Sequence, residues 1–370
     1  MTSTAVGSAL PGGPAVSGFV YRKTAGHARV KFSDGKWGPV EFVEEDQVTI
    51  PIMANVLHYG QAIFEGLKAF QCKSGKVCIF NDFENFKRIN ASAHRMCMPA
   101  IPPEVFFKAV DVSLEGNLAF LPPYGTGQAM YIRPVMFGSG DSLMPFPANE
   151  YYLLVICIPV GTYYKKGAAV TGVEAAVIDD FDRAAPQGVG ACKCAGNYAA
   201  DMYPARMYKE QGFPASLYLD AKEKRYVEEF NTSNFVGITK DGRYVTPKSD
   251  SVLPSCTNKM LQVLAKEKGM SVEIRPIDFE KEVEDFAEVG AVGTAVVVTP
   301  IKSFVRTSTG KKFECGNADA PVLRSLKERL EAIQLQESED TYGWVREMGK
   351  LPRTLAPNGA EAISSNGIPH

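Results

Sequence analysis

Apolar positions along the chain come in short runs, and their period switches repeatedly between two and three to four. KVCIF at 76–80 alternates as a strand, and Asn81 or Asp82 can cap a helix through FENFKRINASAHRM. A second helix follows Pro102-Pro103 (EVFFKAVDVSLEGNLAF), and strands are predicted at AMYIRPVMF (129–137) and YYLLVICI (151–158). After a glycine-bounded polar connection, GTYYKKGAA (161–169), a new series begins with VTGVEAAVI. SLYLD, YVEEF, NFVGI and RYVTP then read as short meandering strands between turn signals such as Asp241-Gly242. Two amphipathic helices interrupt them, TNKMLQVLAKEKG (257–269) and APVLRSLKERLEAIQ (320–334), the second with Val322, Leu323, Leu326, Leu330 and Ile333 on one stripe.

This pattern is α+β and divides the chain into a flexible tail (1–17), a first domain (18–163), a linker (164–172), a larger strand-rich domain (173–345) and a mobile C-terminal tail (346–370). Tyr342-Gly343-Trp344-Val345 is a candidate packing motif just before that tail. Pro204 is expected to end or kink any helix beginning at GNYAA. No repeat with a period of 20–50 residues is visible, which excludes a solenoid or propeller.

Composition narrows the function classes. Across 370 residues, 40 Lys+Arg against 42 Asp+Glu give a net charge of −2, with no excess to hold nucleic acid or an anionic membrane. The longest apolar run, YYLLVICIPV, is far below the ~20 residues of a membrane helix. Eight cysteines without a CxxC pair, and a start without a secretory apolar core, imply reduced thiols inside the cell. The uncharged tail points to the cytoplasm, with a mitochondrial location left open.

One lysine stands out. In VGACKCAGNYAA, Lys193 lies among Gly, Ala and Cys, none of which pairs with an ammonium group, so it is either solvated or held in a pocket for chemistry. A desolvated lysine, or one beside another cation, becomes neutral enough to attack a carbonyl. VEEFNTSNF offers Glu228 and Glu229 on opposite faces of a strand, one expected in solvent and the other at a site. SVLPSCTNK and AVGTAVVV present free amides at a helix start and a turn, and Arg133 in YIRPV needs an anionic partner within its apolar strand. LHYGQAIFEGLKAF is ordinary core or one wall of an apolar pocket. Cys192-x-Cys194 lacks the further ligands a zinc site needs, so no metal is expected, and no GxSxG elbow supports a serine hydrolase.

In this order the segments LHYGQAIFEGLKAF, KRINASA, YIRPV, PVGTYY, DRAAPQGVG, KCAGNYAA, VEEFNTSNF, SVLPSCTNK and VGTA resemble the branched-chain aminotransferase family, fold-type IV enzymes that use pyridoxal 5′-phosphate. The resemblance implies a smaller first domain, a larger second one and a cofactor between them. It implies that Lys193 is the Schiff-base lysine, that Tyr198 meets the cofactor's phenolic oxygen and that Glu229 sits at its pyridine nitrogen. Arg88, Cys256, Thr257 and Thr294 match the phosphate positions. Thr232 completes the cofactor set and, with the Ala295 amide, matches groups at the substrate α-carboxylate. Phe64, Tyr131 and Tyr163 match the apolar walls, Tyr59 reaches in from a second subunit of a homodimer, and Arg133 and Arg183 lie close by. The implied reaction moves the amino group of L-leucine, L-isoleucine or L-valine to 2-oxoglutarate.

Two departures from the family are visible. Leu253-Pro254-Ser255-Cys256-Thr257-Asn258 replaces the common Leu-Pro-Gly-Ile-Thr-Arg, and Val296, Val297 and Val298 stand where some members carry a redox CxxC. Rivals of the same fold are a D-amino-acid aminotransferase, an (R)-amine transaminase and an aminodeoxychorismate lyase; from another class, a scaffold that has lost activity. The first-domain segments favour the branched-chain type.

Overall fold

The computed structural model describes residues 20–161 and 172–355. The tail expected at 1–17, Tyr163 and nearly all of the 164–172 connection fall outside them. Two nine-stranded sheets organise the described residues. The first runs, edge to edge, Val345–Glu347, Val77–Phe80, Leu67–Gln71, Ala129–Gly138, Tyr151–Val160, His27–Ser33, Lys36–Trp37, and Ala62–Phe64 pairs with Ala129–Gly138. Helices Asp82–Arg95 and Pro103–Gly116 cover it, placing Ile89, Phe106, Phe107 and Leu114 against Ile79, Ile132 and Val155. Asp82 and Glu84 suit the positive end of one helix, and Pro103 takes a first-turn position where no N–H is needed.

The second sheet closes on itself. Val227–Phe230, Ala215–Leu219, Val173–Ile178, Val297–Arg306, Phe286–Gly293 and Asn234–Thr239 follow in order, and the first pairs back to the last through Glu229 and Asn234. Phe230, Phe235, Phe279, Phe304 and Phe313 fill the inner face of this ring. Helices Cys256–Glu267 and Pro321–Gln334 cover its other face with Leu261, Leu264, Leu323, Leu326 and Leu330, and the same apolar cluster takes in Phe70, Phe80, Tyr131 and Val160 of the first sheet. Helix Pro321–Gln334 begins at Ala320, which cannot cap it, so Glu288 of the adjacent strand accepts from the Val322 and Leu323 amides, 2.9 Å each.

One expectation about the second domain holds and two others are corrected. The four strands expected to meander do so, Ala215–Leu219, Val227–Phe230, Asn234–Thr239 and Tyr244–Pro247 pairing antiparallel in succession, while Val173–Ile178 joins the first of them in parallel through a crossover helix, Ala195–Glu210. Pro204 does not end that helix: it is buried, and the helix continues to Glu210, with Tyr208 packed against Ile178 and Tyr218, packing that outweighs the one lost backbone bond. Nor does residue 346 open a tail. Val345–Glu347 adds an edge strand to the first sheet, and buried Arg346 pairs with Asp82 at 2.6 Å and Asp111 at 2.9 Å. Tyr342 stacks on Trp344 at 4.3 Å, the packing motif expected there.

Removing one partner of a buried ion pair strands the other charges, so Arg346→Ala should lower the unfolding free energy by about 3–5 kcal/mol, read from the urea midpoint. A loss under about 1 kcal/mol would show that Arg346 does not hold the edge strand.

Candidate active site

The crossover that makes two ring strands parallel also delivers Lys193. It lies just before helix Ala195–Glu210, in a loop drawn tight by Asn197, whose side chain donates to the Val189 and Cys192 carbonyls at 2.8 and 3.0 Å. The lysine's backbone is fastened to the first sheet: its N–H donates to Ser92 Oγ at 3.0 Å and its carbonyl accepts from Phe64 N at 3.0 Å. Cys194 bridges to Ile63 and packs into the first-sheet core. The residue is half-buried as a whole, but its amine end is enclosed, with Nζ 2.8 Å from Tyr198 Oη and 4.9 Å from the Phe64 ring centre. Burial, then the nearby Arg88 cation, lowers its proton affinity, while Glu65 opposes them. Burial pushes the Tyr198 hydroxyl up to about 12.

Both glutamates of VEEF are buried, against the expectation that one faces water. Each holds the same loop. Glu228 accepts from the hydroxyls of Ser249 (3.1 Å) and Ser251. Glu229 accepts from Leu253 N (2.8 Å) and Asn234 Nδ2 (3.0 Å) and pairs with Arg183 at 2.8 Å. The loop therefore satisfies two acids that strand alternation sends to opposite sides. Burial dominates at Glu229, raising it to about 7 in spite of Arg183.

The loop ends at Ser255, whose side chain caps helix Cys256–Glu267 by accepting from Asn258 N at 3.2 Å. The Cys256 and Thr257 amides ahead of that bond have no helical acceptor, and both residues stand at the positive helix end beside a cavity. Cys256, Thr257 and Thr294 line this cavity together with Lys68, Asn85 and Asn81. Arg88 reaches the same region, donating through Nη1 to Pro254 O at 3.1 Å. Burial raises the Cys256 thiol to about 11, so it stands there as a neutral group.

Opposite the lysine, Phe64, Tyr131 and Arg133 form a wall. The Arg133 guanidinium lies 4.6 Å from the Phe64 ring centre and 5.3 Å from that of Tyr131, and Nη2 donates to Tyr131 Oη at 3.1 Å. Its Nε is buried without a hydrogen-bond partner among the described residues. Gly66 makes room for this arrangement, since a Cβ there would stand 2.0 Å from Tyr131 Oη. Thr232 and Ala295 are exposed on adjoining turns: a Cβ on Gly293 would lie 3.6 Å from Thr232 O. Tyr59 is not brought to Lys193. It is exposed and its hydroxyl donates to the Leu143 carbonyl.

Several residues here escaped sequence reasoning. Glu65 is fully buried and clamps Arg88, Asn85 donates to Glu65 Oε2 at 2.7 Å, and Asn258 links Asn234 to Thr246. Lys68 donates to Ala295 O at 2.8 Å, tying the exposed turn to the first sheet, and burial lowers it to about 8. The available signal was an acid inside an apolar run, IFEG, which requires a cationic partner if buried.

The sequence model of one family, amino-transferase class IV, matches residues 62–304. The chain is 40% identical over 333 residues to a branched-chain-amino-acid aminotransferase of Helicobacter pylori, covering 90% of this chain and 96% of that one. Against the protein of that name from Haemophilus influenzae it is 37% identical over 333 residues, covering 89% and 96%. The solved structure of the branched-chain amino acid aminotransferase from Escherichia coli shares the fold, superposing with a TM-score of 0.71 at 24% identity and covering 88% of this chain and all of that one.

The raised Glu229 carries a sign for stability. Between about pH 4.5 and 7 an unfolded glutamate has lost its proton while Glu229 keeps it, so stability falls as pH rises through that window. In cofactor-free protein, Glu229→Gln should flatten this fall by an amount on the order of 3 kcal/mol, read from denaturation midpoints at pH 5 and 7.5. Equal slopes in the two proteins would place the proton elsewhere.

Proposed function

The chain belongs to the class IV aminotransferases and to their branched-chain-amino-acid aminotransferase family, and we propose that it binds pyridoxal 5′-phosphate on Lys193 and exchanges amino groups between L-leucine, L-isoleucine or L-valine and 2-oxoglutarate. The observation that carries this reading is the enclosed Lys193 amine, 2.8 Å from Tyr198 Oη, flanked by an anion cup and a buried carboxylate.

The donor set fits such a cofactor. A phosphate dianion suits the Cys256 and Thr257 amides, the Thr257 and Thr294 hydroxyls and Arg88. Glu229 receives three donors where a carboxylate has about four acceptor sites, leaving one for a ring N–H. When bound, the cofactor supplies an electron sink for the charge left on the substrate Cα after its proton departs.

The chain's own groups do the rest. Lys193, with its proton affinity lowered, would offer its amine to the cofactor's aldehyde and, when an incoming amino acid had displaced it, would carry the Cα proton as base and then acid. Tyr198, bonded to the lysine amine, would also meet the phenolic oxygen, and Glu229, once ionised, would keep the pyridine nitrogen protonated. Thr232 and the Ala295 amide hold the α-carboxylate on the turn that Lys68 fastens. Phe64 and Tyr131 receive an aliphatic side chain. Arg133, stacked on both rings and with its Nε unpaired, meets the second carboxylate when glutamate binds instead.

We further propose a homodimer working in the cytoplasm. Ile52, Leu57, Tyr59, Leu143, Met144 and Phe146 expose apolar surface around the Tyr59–Leu143 contact, a surface that a second copy would cover and from which Tyr59 would reach the neighbour's site. All eight cysteines are unpaired, as a reducing compartment requires.

The test is the visible absorption of the purified protein with pyridoxal 5′-phosphate. L-leucine should discharge the lysine-bound band and D-alanine should leave it intact; discharge by D-alanine alone would overturn the substrate class, and a band that survives Lys193→Ala would overturn the lysine assignment. Arg133→Leu should lower kcat/KM for glutamate by about 10- to 100-fold while leaving leucine nearly unaffected. Equal losses for both substrates would remove Arg133 from the second-carboxylate role.

A further inference from the structure

Glu65 has no part in the transfer described above, yet it is completely buried beside two groups that do. Both its oxygens are engaged: Oε1 accepts from Arg88 Nε at 2.7 Å, and Oε2 from Arg88 Nη2 at 2.7 Å, Asn85 Nδ2 at 2.7 Å and Gly66 N at 3.2 Å. The two parallel bonds fix the plane of the guanidinium. With the bond from Nη1 to Pro254 O, three of the arginine's five N–H groups are committed, leaving two for the cup.

Glu65 is also close to the lysine along the chain's own hydrogen bonds. Its neighbour Phe64 donates to the Lys193 carbonyl at 3.0 Å, and Ile63 bridges to Cys194. We propose that Glu65 is a positioning residue that fixes the Arg88 fork in the anion cup and supplies the negative charge that shields the Lys193 amine from the Arg88 cation. The inference rests on Arg88 and Lys193 holding the cofactor as described above.

The charge balance around the amine shows why such a residue is needed. Arg88 from helix Asp82–Arg95 and Arg133 from strand Ala129–Gly138 both disfavour a proton on Lys193; Glu65 and the Tyr131 hydroxyl favour it. Tyr198 touches the amine, and Glu229 faces the same space from the ring. An anion cup built on an arginine therefore works against the lysine that must take up the substrate's proton. Glu65 offsets that conflict at its source. Burial alone would protonate it, but the Arg88 guanidinium holds it below the usual carboxylate range, so it stays charged wherever the enzyme works.

The test uses the holoenzyme at saturating pyridoxal 5′-phosphate and follows the proton on the Lys193 nitrogen through the visible absorption as pH is varied. Glu65→Gln, which keeps shape and loses charge, should move the midpoint down by about one pH unit or more. Arg88→Gln should move it up, and the double variant should return to near the wild-type value. Glu65→Asp keeps the charge, so its midpoint should stay near wild type while the cofactor binds more weakly. A midpoint in Glu65→Gln equal to or above that of wild type overturns the Glu65 assignment alone. A wild-type protein that forms no visible band overturns both this assignment and the reading beneath it.

Discussion

A ring of strands has no free edge except where its first and last members meet, and here that meeting is a single residue pair, Glu229 opposite Asn234. The turn between them is so short that their polar side chains cannot avoid each other, and Asn234 Nδ2 donates to Glu229 Oε2 at 3.0 Å. The same amide donates to Leu253 O, and Asn258 donates to Asn234 Oδ1, so the seam is continued by a chain of polar groups to the start of helix Cys256–Glu267. Strand closure thus sets the acid, the loop and the helix start in one frame. A seam closed by apolar residues would leave the 249–255 loop without its anchors.

Most of the charges buried in the two sheets come with partners, although Arg133 Nε and Arg183 Nε have no hydrogen bond among the described residues, and magnitudes explain the pairing. Taking an ion out of water costs several kcal/mol even after relaxation, more than one hydrogen bond returns. Glu65 receives four bonds, Glu229 two bonds and an ion pair, and Arg346 two carboxylates. Such groups add little net stability compared with an apolar core, but each has one arrangement that satisfies it. Their contribution is to exclude other packings of the two sheets, which share an apolar cluster that would by itself tolerate sliding.

Local pattern made some of this legible. The stripe of Leu323, Leu326, Leu330 and Ile333 is the buried face of its helix, and Tyr342 and Trp344 stack as their spacing allows. Ring closure was not legible, because alternation tells which residues share a face and not which distant strand will accept an edge. Pro204 misleads for the opposite reason: its local penalty is real but smaller than the tertiary packing of the turn beyond it. At the site, Lys193 is conspicuous by its neighbours, whereas Glu65 acquires meaning only when helix Asp82–Arg95 brings Arg88 across from 23 positions away. The burial of both glutamates in VEEF depended on a loop that neither composition nor period could place.

The fastening of Lys193 restricts how the molecule can move. Its helix belongs to the ring, but its N–H and carbonyl are bonded to Ser92 and Phe64 of the other half. A hinge that parted the two sheets would have to tear the lysine from one of them and dismantle the wall it faces. The amine and the wall it faces are therefore held in one frame, and the turn carrying Thr294 and Ala295 is tied to that frame through Lys68.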